Sequence, residues 1–261
     1  MNSEDAPLTL TLDGPVAHLL FNRPAALNAI NVPMALAFRD AMRTIAASSD
    51  IRVVILKGAG RAFVAGGDLA SLRENPLENA QVLIAPLHEA LAIMTGLSQP
   101  VIASVHGAVA GAGVSIALAC DFVLAAQGTR FNLAYASIGT SPDASASWHL
   151  PRLVGLHKAM ELLLLSEPFD ADEALRLGLI GKKVAADQLQ AETERLANRL
   201  AQGPTFALGQ TKRLLRNAFQ HSLEEQLDAE REGFCACTQT EDFGRGIEAF
   251  FTKEKAHYLG S

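Results

Sequence analysis

Little in this chain would take it out of water or onto a polyanion. None of its apolar runs approaches the ~18 residues of a membrane span. The first residues, Met1-Asn-Ser-Glu-Asp5, are acidic and lack the basic start of a secretory signal. Lys and Arg form no tract, and the formal net charge is −6, which argues against a nucleic-acid partner. A few local Lys and Arg residues can still hold an anionic ligand. Cysteine is scarce: Cys120, Cys235 and Cys237. An odd number without a framework, and a Cys-x-Cys with no second pair, exclude a disulfide scaffold and a zinc knuckle. The expected setting is therefore reducing and cytoplasmic, with no membrane attachment and no metal. No stretch rich in Pro, Gly or Ser divides the chain, and no repeat or low-complexity tract is present.

What is present is apolar material in regular order. With 49% hydrophobic residues among 261, the chain can fill a sizeable core, as one large α/β domain or two small ones. Residues 8–12 and 16–21 read as a hairpin about Asp13-Gly14. Residues 33–48 carry helical spacing with Pro33 in the first turn. Residues 50–56 and 101–105 read as buried strands, residues 75–97 as a helix, and residues 121–125 as a further strand. This alternation predicts a mostly parallel sheet with crossover helices. Beyond residue 155 nearly everything reads as helix: 157–165, 171–177, 187–202, 205–219, 222–237 and 241–253.

Two strands end in glycine-rich, nearly uncharged loops. The first is Gly58-Ala-Gly-Arg-Ala-Phe-Val-Ala-Gly-Gly-Asp-Leu69, and the second is Gly107-Ala-Val-Ala-Gly-Ala-Gly-Val114. The second runs into the apolar stretch Ser115–Cys120, which reads as a buried helix. Such loops leave backbone N–H groups free to point at a ligand, and two of them can form an oxyanion hole. Taken singly, each also reads as a tight glycine turn. The second loop is not G-x-G-x-x-G in register, so a dinucleotide-binding sheet is set aside. No G-x-S-x-G elbow surrounds Ser115, which leaves a serine hydrolase without support.

The pair of loops and their surroundings resemble the crotonase (enoyl-CoA hydratase/isomerase) family. The matching segments run the length of the chain: Phe21-Asn-Arg-Pro24 with Leu27-Asn-Ala29, Gly60-Arg-Ala-Phe63 with Ala65-Gly-Gly-Asp68, and Pro100 to Asp121. Leu150 to Gly155, Ala171 to Gly181 and Thr240 to Phe250 resemble later family segments. The resemblance implies a crotonase-type β-β-α superhelix of the ClpP/crotonase kind. Residues 1–195 would form the core that carries the CoA and acyl sites. Residues 196–261 would form a C-terminal helical region that packs subunits into a homotrimer or a hexamer of paired trimers. It also implies an acyl-CoA thioester as substrate, so coenzyme A arrives as part of the substrate and no separate cofactor is expected.

By the same resemblance, the N–H groups of Gly67 and Ala112 bind the thioester oxygen. Arg23, Ala25, Ala26 and Leu27 wrap the nucleotide and pantetheine, and Ala65 and Asp68 flank the thioester loop. Phe250 and Lys253 reach the adenine and phosphate. Plainer readings exist for Arg23 (a surface salt bridge), Phe250 (packing) and Lys253 (a solvated face). The two glutamates of family hydratases are replaced here by Ser115 and Tyr135, and neither can serve as a carboxylate base. A carboxylate stands eight residues after Tyr135, at Asp143. Family isomerases and 4-chlorobenzoyl-CoA dehalogenases carry an Asp there. The competing reading makes Asp143 an N-cap for a helix starting near Ala144. His88, twelve residues before Pro100, has the spacing of the dehalogenase histidine, although a lone His on such a helix is commonly surface or core. Tyr135 falls where those enzymes carry an aromatic wall or hydrogen-bond donor.

The leading expectation is an enoyl-CoA isomerase in which Asp143 shuttles one proton. The alternatives are hydrolytic dehalogenation with Asp143 as nucleophile and His88 activating water, hydration of an unusual enoyl-CoA, and a binding protein that has lost catalysis.

Overall fold

The computed structural model describes residues 6–261; the acidic segment 1–5 and the reading placed on it lie outside the described residues. In chain order the elements are β1 (Leu8–Asp13), β2 (Val16–Phe21), α1 (Val32–Ala46), β3 (Val53–Gly58), β4 (Ala62–Val64), α2 (Pro76–Gly96), β5 (Val101–Val105), β6 (Ala108–Ala110), α3 (Ala112–Ala119), β7 (Phe122–Ala126) and β8 (Arg130–Asn132). There follow α4 (Ala146–Val154), α5 (Leu156–Leu165), β9 (Phe169–Asp170), α6 (Ala171–Arg176), β10 (Lys182–Val184), α7 (Leu189–Ala201), α8 (Thr205–Asn217), α9 (Leu223–Cys237) and α10 (Glu241–Thr252).

The strands form two sheets. Six lie in the order β1-β2-β3-β5-β7-β10 and four in the order β4-β6-β8-β9. The larger sheet is parallel except for the expected β1–β2 hairpin. It is buried on both faces, which explains the unbroken apolar run in β3. Val54 and Leu56 face the main core with α1, α2 and α3. Val53 and Ile55 face a second layer closed by Leu189, Ala197 and Ala201 of α7. The smaller sheet is absent from the sequence reading. Its strands have two or three residues each, too few to show a period. Two of them, β4 and β6, lie inside the segments read as glycine loops.

Helix boundaries follow local chemistry. Asn31 accepts from the Met34 N–H and caps α1. Ser222 and Glu225 form a reciprocal capping box on α9. Asp170 caps α6 by accepting from the N–H groups of Asp172 and Glu173. Every residue of α3 is buried, as a composition apolar at all positions but Ser115 requires. Among the described residues, no helix is long and apolar enough to cross a membrane.

The C-terminal helices contrast with this core. Phe219, Phe234, Phe250 and Phe251 are all exposed, and Phe250 is 77% so. The division at residue 195 falls inside α7. That helix packs on the large sheet, so its first turns and its last belong to one layer.

Candidate active site

The two glycine-rich segments meet. The paired strands β4 and β6 run parallel, side by side. Gly111 turns the chain from β6 into α3 at φ +49°, and a Cβ there would stand 3.5 Å from the Gly66 Cα. Gly113 has ordinary φ but no room: a Cβ would lie 2.0 Å from the Val64 carbonyl oxygen. Gly113 is therefore dictated by the approach of one loop to the other, and Gly111 by its positive φ.

Gly67 and Ala112 line one cavity of ~180 Å3. The neighbours of Gly67 are engaged: Ile30 N–H donates to Gly66 O at 2.8 Å, and Asp68 N–H donates to Ile30 O at 2.8 Å. No backbone carbonyl among the described residues receives the N–H of Gly67 or of Ala112. The Ala112 N–H belongs to the first turn of α3, so the helix dipole adds to its positive end.

Asn28, part of a quoted motif but not singled out, ties this assembly together. It is fully buried in the left-handed region at φ +58°. Its Nδ2 donates to the carbonyls of Ala59 (2.8 Å), Ala62 (2.8 Å) and Phe63 (3.0 Å). Its Oδ1 accepts from the Arg23 N–H at 2.8 Å. The signal was a polar residue amid an apolar block, where every donor must find a partner.

At the other end of the cavity, Tyr135 and Asp143 also line the wall. A single 3-10 turn, Ala136–Ile138, follows Tyr135, and Gly139 reverses the chain at φ +72°. Thr140 N–H returns to Tyr135 O at 3.1 Å. This turn brings two residues eight apart to one surface. The Ser115 hydroxyl, fully buried, lies 2.8 Å from the Tyr135 phenol and 3.3 Å from Gly111 O. Burial above all, and then the Asp143 carboxylate, raise the Tyr135 pKa. Tyr135 is thus a neutral phenol, and the two positions expected to lack carboxylates form a neutral hydroxyl pair.

Asp143 is not a helix cap. α4 begins at Ala146 with Ser145 as its N-cap residue, and Asp143 Oδ1 is buried without a hydrogen-bond partner. Its place on the cavity wall lets that carboxylate act as a general base towards a ligand bound there.

The other expected residues divide. Ala65 lines the cavity. Arg23 and Asp68 pair with each other at 2.9 Å, the plainer reading of Arg23, and Arg23 also donates to Ala29 O at 2.6 Å. Ala25 and Ala26 lie in a short 3-10 turn, Pro24–Ala26, that ends at Leu27 with φ +51°. His88 Nε2 contacts the Asp143 main-chain carbonyl, not its carboxylate, and lines a second, larger cavity instead. Phe250 and Lys253 are exposed at the end of α10, away from both cavities.

The enoyl-CoA hydratase/isomerase family profile matches residues 12–261. The chain belongs to this family. Over 252 residues it is 35% identical to the 1,2-epoxyphenylacetyl-CoA isomerase of Escherichia coli, covering 94% of this chain and 95% of that protein. It is 30% identical to the crotonyl-CoA hydratase of Syntrophomonas wolfei, covering 97% of each. A crystal structure of an enoyl-CoA hydratase from Polaromonas sp. superposes with a TM-score of 0.90 at 36% identity, over 97% of this chain and 99% of that one. The fold is therefore the crotonase fold. Family relatives carry both hydratase and isomerase names.

Proposed function

We propose that the protein is an acyl-CoA isomerase in which Asp143 moves a proton between two carbons of an unsaturated thioester. The carrying observation is the buried, unpartnered Oδ1 of Asp143 in the same cavity as the free N–H groups of Gly67 and Ala112. Proton loss beside the thioester puts negative charge on its oxygen, and two fixed N–H donors stabilise that enolate. One such donor contributes roughly 3 kcal/mol to lowering the barrier. The enolate is then reprotonated by the same carboxylate at another carbon, which balances the reaction with one base.

Standard hydration needs two carboxylates, one for the water and one for the α-carbon. Ser115 and Tyr135 are bonded to each other and supply neither. Nucleophilic dehalogenation finds less support, because His88, expected to activate the water, lines the larger cavity and not the one that holds the two N–H groups.

Coenzyme A would lie along the turn at Ala25–Leu27 and beside Ala65. The exposed aromatic residues of α9 and α10 suit a trimer or hexamer, in which Phe250 and Lys253 would reach the nucleotide. Turnover on 3-enoyl-CoA, 2-enoyl-CoA and 4-chlorobenzoyl-CoA, each repeated with Asp143→Asn, tests the reading. Double-bond migration lost in the variant supports it. Hydration or chloride release that persists in the variant overturns it, and thioester binding without turnover would leave a binding protein.

A further inference from the structure

A cavity of ~860 Å3 lies between α2, α4 and α8, outside the acyl cavity and several times larger. Asp143 lines both, so the two cavities adjoin at the residue read as the base. Leu91, Ala92 and Trp148 give it wall suited to a carbon chain. Its far side is cationic. Lys212 and Arg216 both line it, and they share one carboxylate, Asp121, at 2.7 Å each. Two cations on one anion leave a positive charge uncompensated. The Lys212 side chain is only 9% exposed, so little of that charge is relieved by water.

The cavity also concentrates unsatisfied polar atoms. Among the described residues, four buried side-chain atoms lack a hydrogen-bond partner: Asn132 Oδ1, Asp143 Oδ1, Ser145 Oγ and Arg216 Nε. The last three belong to residues lining this cavity. Arg216 uses its Nη2 on Ala119 O and Asp121, leaving Nε–H unused. An unpaired buried donor is costly, so a site that retains two of them suits an acceptor ligand. His149 adds no charge: burial first, then Arg216 and Arg152, push it down to about 4.

We propose that this cavity receives the far end of the acyl group and that this end bears a carboxylate, so the preferred substrates are ω-carboxyacyl-CoA thioesters. The Arg216 Nε–H and Ser145 hydroxyl donate to the carboxylate, and the excess charge of the Lys212–Asp121–Arg216 cluster attracts it. The inference rests on the acyl-CoA reading of the neighbouring site.

Calorimetric binding of adipoyl-CoA and hexanoyl-CoA, equal in chain length, tests it. The expected result is roughly tenfold tighter binding of adipoyl-CoA, with an advantage that shrinks as salt is raised. Arg216→Lys keeps a cation for Asp121 but removes Nε–H, and should abolish the advantage while sparing hexanoyl-CoA. Ser145→Ala, a milder change, should reduce it a few-fold. Equal or weaker binding of adipoyl-CoA to protein that binds hexanoyl-CoA overturns the inference and leaves the acyl-CoA reading standing. Failure of both thioesters to bind overturns both. Free adipate binding equally well beside bound hexanoyl-CoA would reveal a separate anion site and overturn the acyl-tail assignment, as would a solved assembly in which a second copy fills the cavity.

Discussion

The two cavities that meet at Asp143 are built from different materials. The smaller one takes its polar groups from backbone, two loops with two free N–H groups, set against an apolar wall that includes Leu69, Leu72, Leu83 and Ile84. The larger one is mostly side chain, with its cations drawn from α8 and its aromatics from α2 and α4. Backbone sites tolerate substitution at the donor residue itself, since Ala112 presents the same N–H that a glycine would. Side-chain sites do not, because the charge is the residue. The first cavity suits a reaction common to a family, and the second a preference that varies from member to member.

The sharpest way to test that division is to remove the group both cavities share. Asp143→Asn should lower isomerase kcat by roughly 10³-fold, within the range for loss of a general base, with little change in thioester affinity. An equal loss in affinity would mean that Asp143 shapes the cavity and does not act in it.

Breaking the backbone site should instead cost stability. Asn28→Ala strands carbonyls of the first loop that its amide now satisfies. Chemical denaturation should register a loss of about 3 kcal/mol. A loss below ~1 kcal/mol would mean the loop is held by its strands alone.

The side-chain cavity has a titration of its own. His149 is buried and carries a proton only below about 4, against 6.5 for the unperturbed group. Between those values the unfolded chain binds the extra proton, so stability is fully present above pH 6.5 and is lost as pH falls towards 4. Discounted for solvent screening, the effect is about 2 kcal/mol. His149→Gln should flatten that segment of the pH–stability curve.

The smallest effect belongs to the hydroxyl pair. Tyr135→Phe removes the 2.8 Å bond to Ser115, but Ser115 keeps Gly111 O as partner. Stability should fall by about 1 kcal/mol and kcat by only a few-fold. A loss approaching that of Asp143→Asn would make the phenol part of the proton path.

Much of the first cavity was legible in sequence, because glycine spacing and apolar runs are local signals. Gly67, Ala112 and Tyr135 line one cavity. Asp143 illustrates the limit. Its neighbours suggested a cap as readily as a base, and only the helix start at Ala146 removed the first option. His88 shows the converse, since its spacing brought it to the Asp143 carbonyl but onto the larger cavity, away from the two N–H groups. The four-stranded sheet was invisible because strands of two or three residues carry no period.

By itself the sequence determined the large parallel sheet, its buried helix, the paired glycine loops and the absence of both hydratase carboxylates. These depend on hydrophobic period, backbone freedom and residue identity, which are properties of short segments. Tertiary structure alone decided which polar atoms were left without partners and which cations share Asp121. Lys212 and Arg216 lie more than ninety residues from Asp121. Electrostatic surroundings at that separation exist only after the helices have packed, so no local pattern could announce the chamber beyond the base.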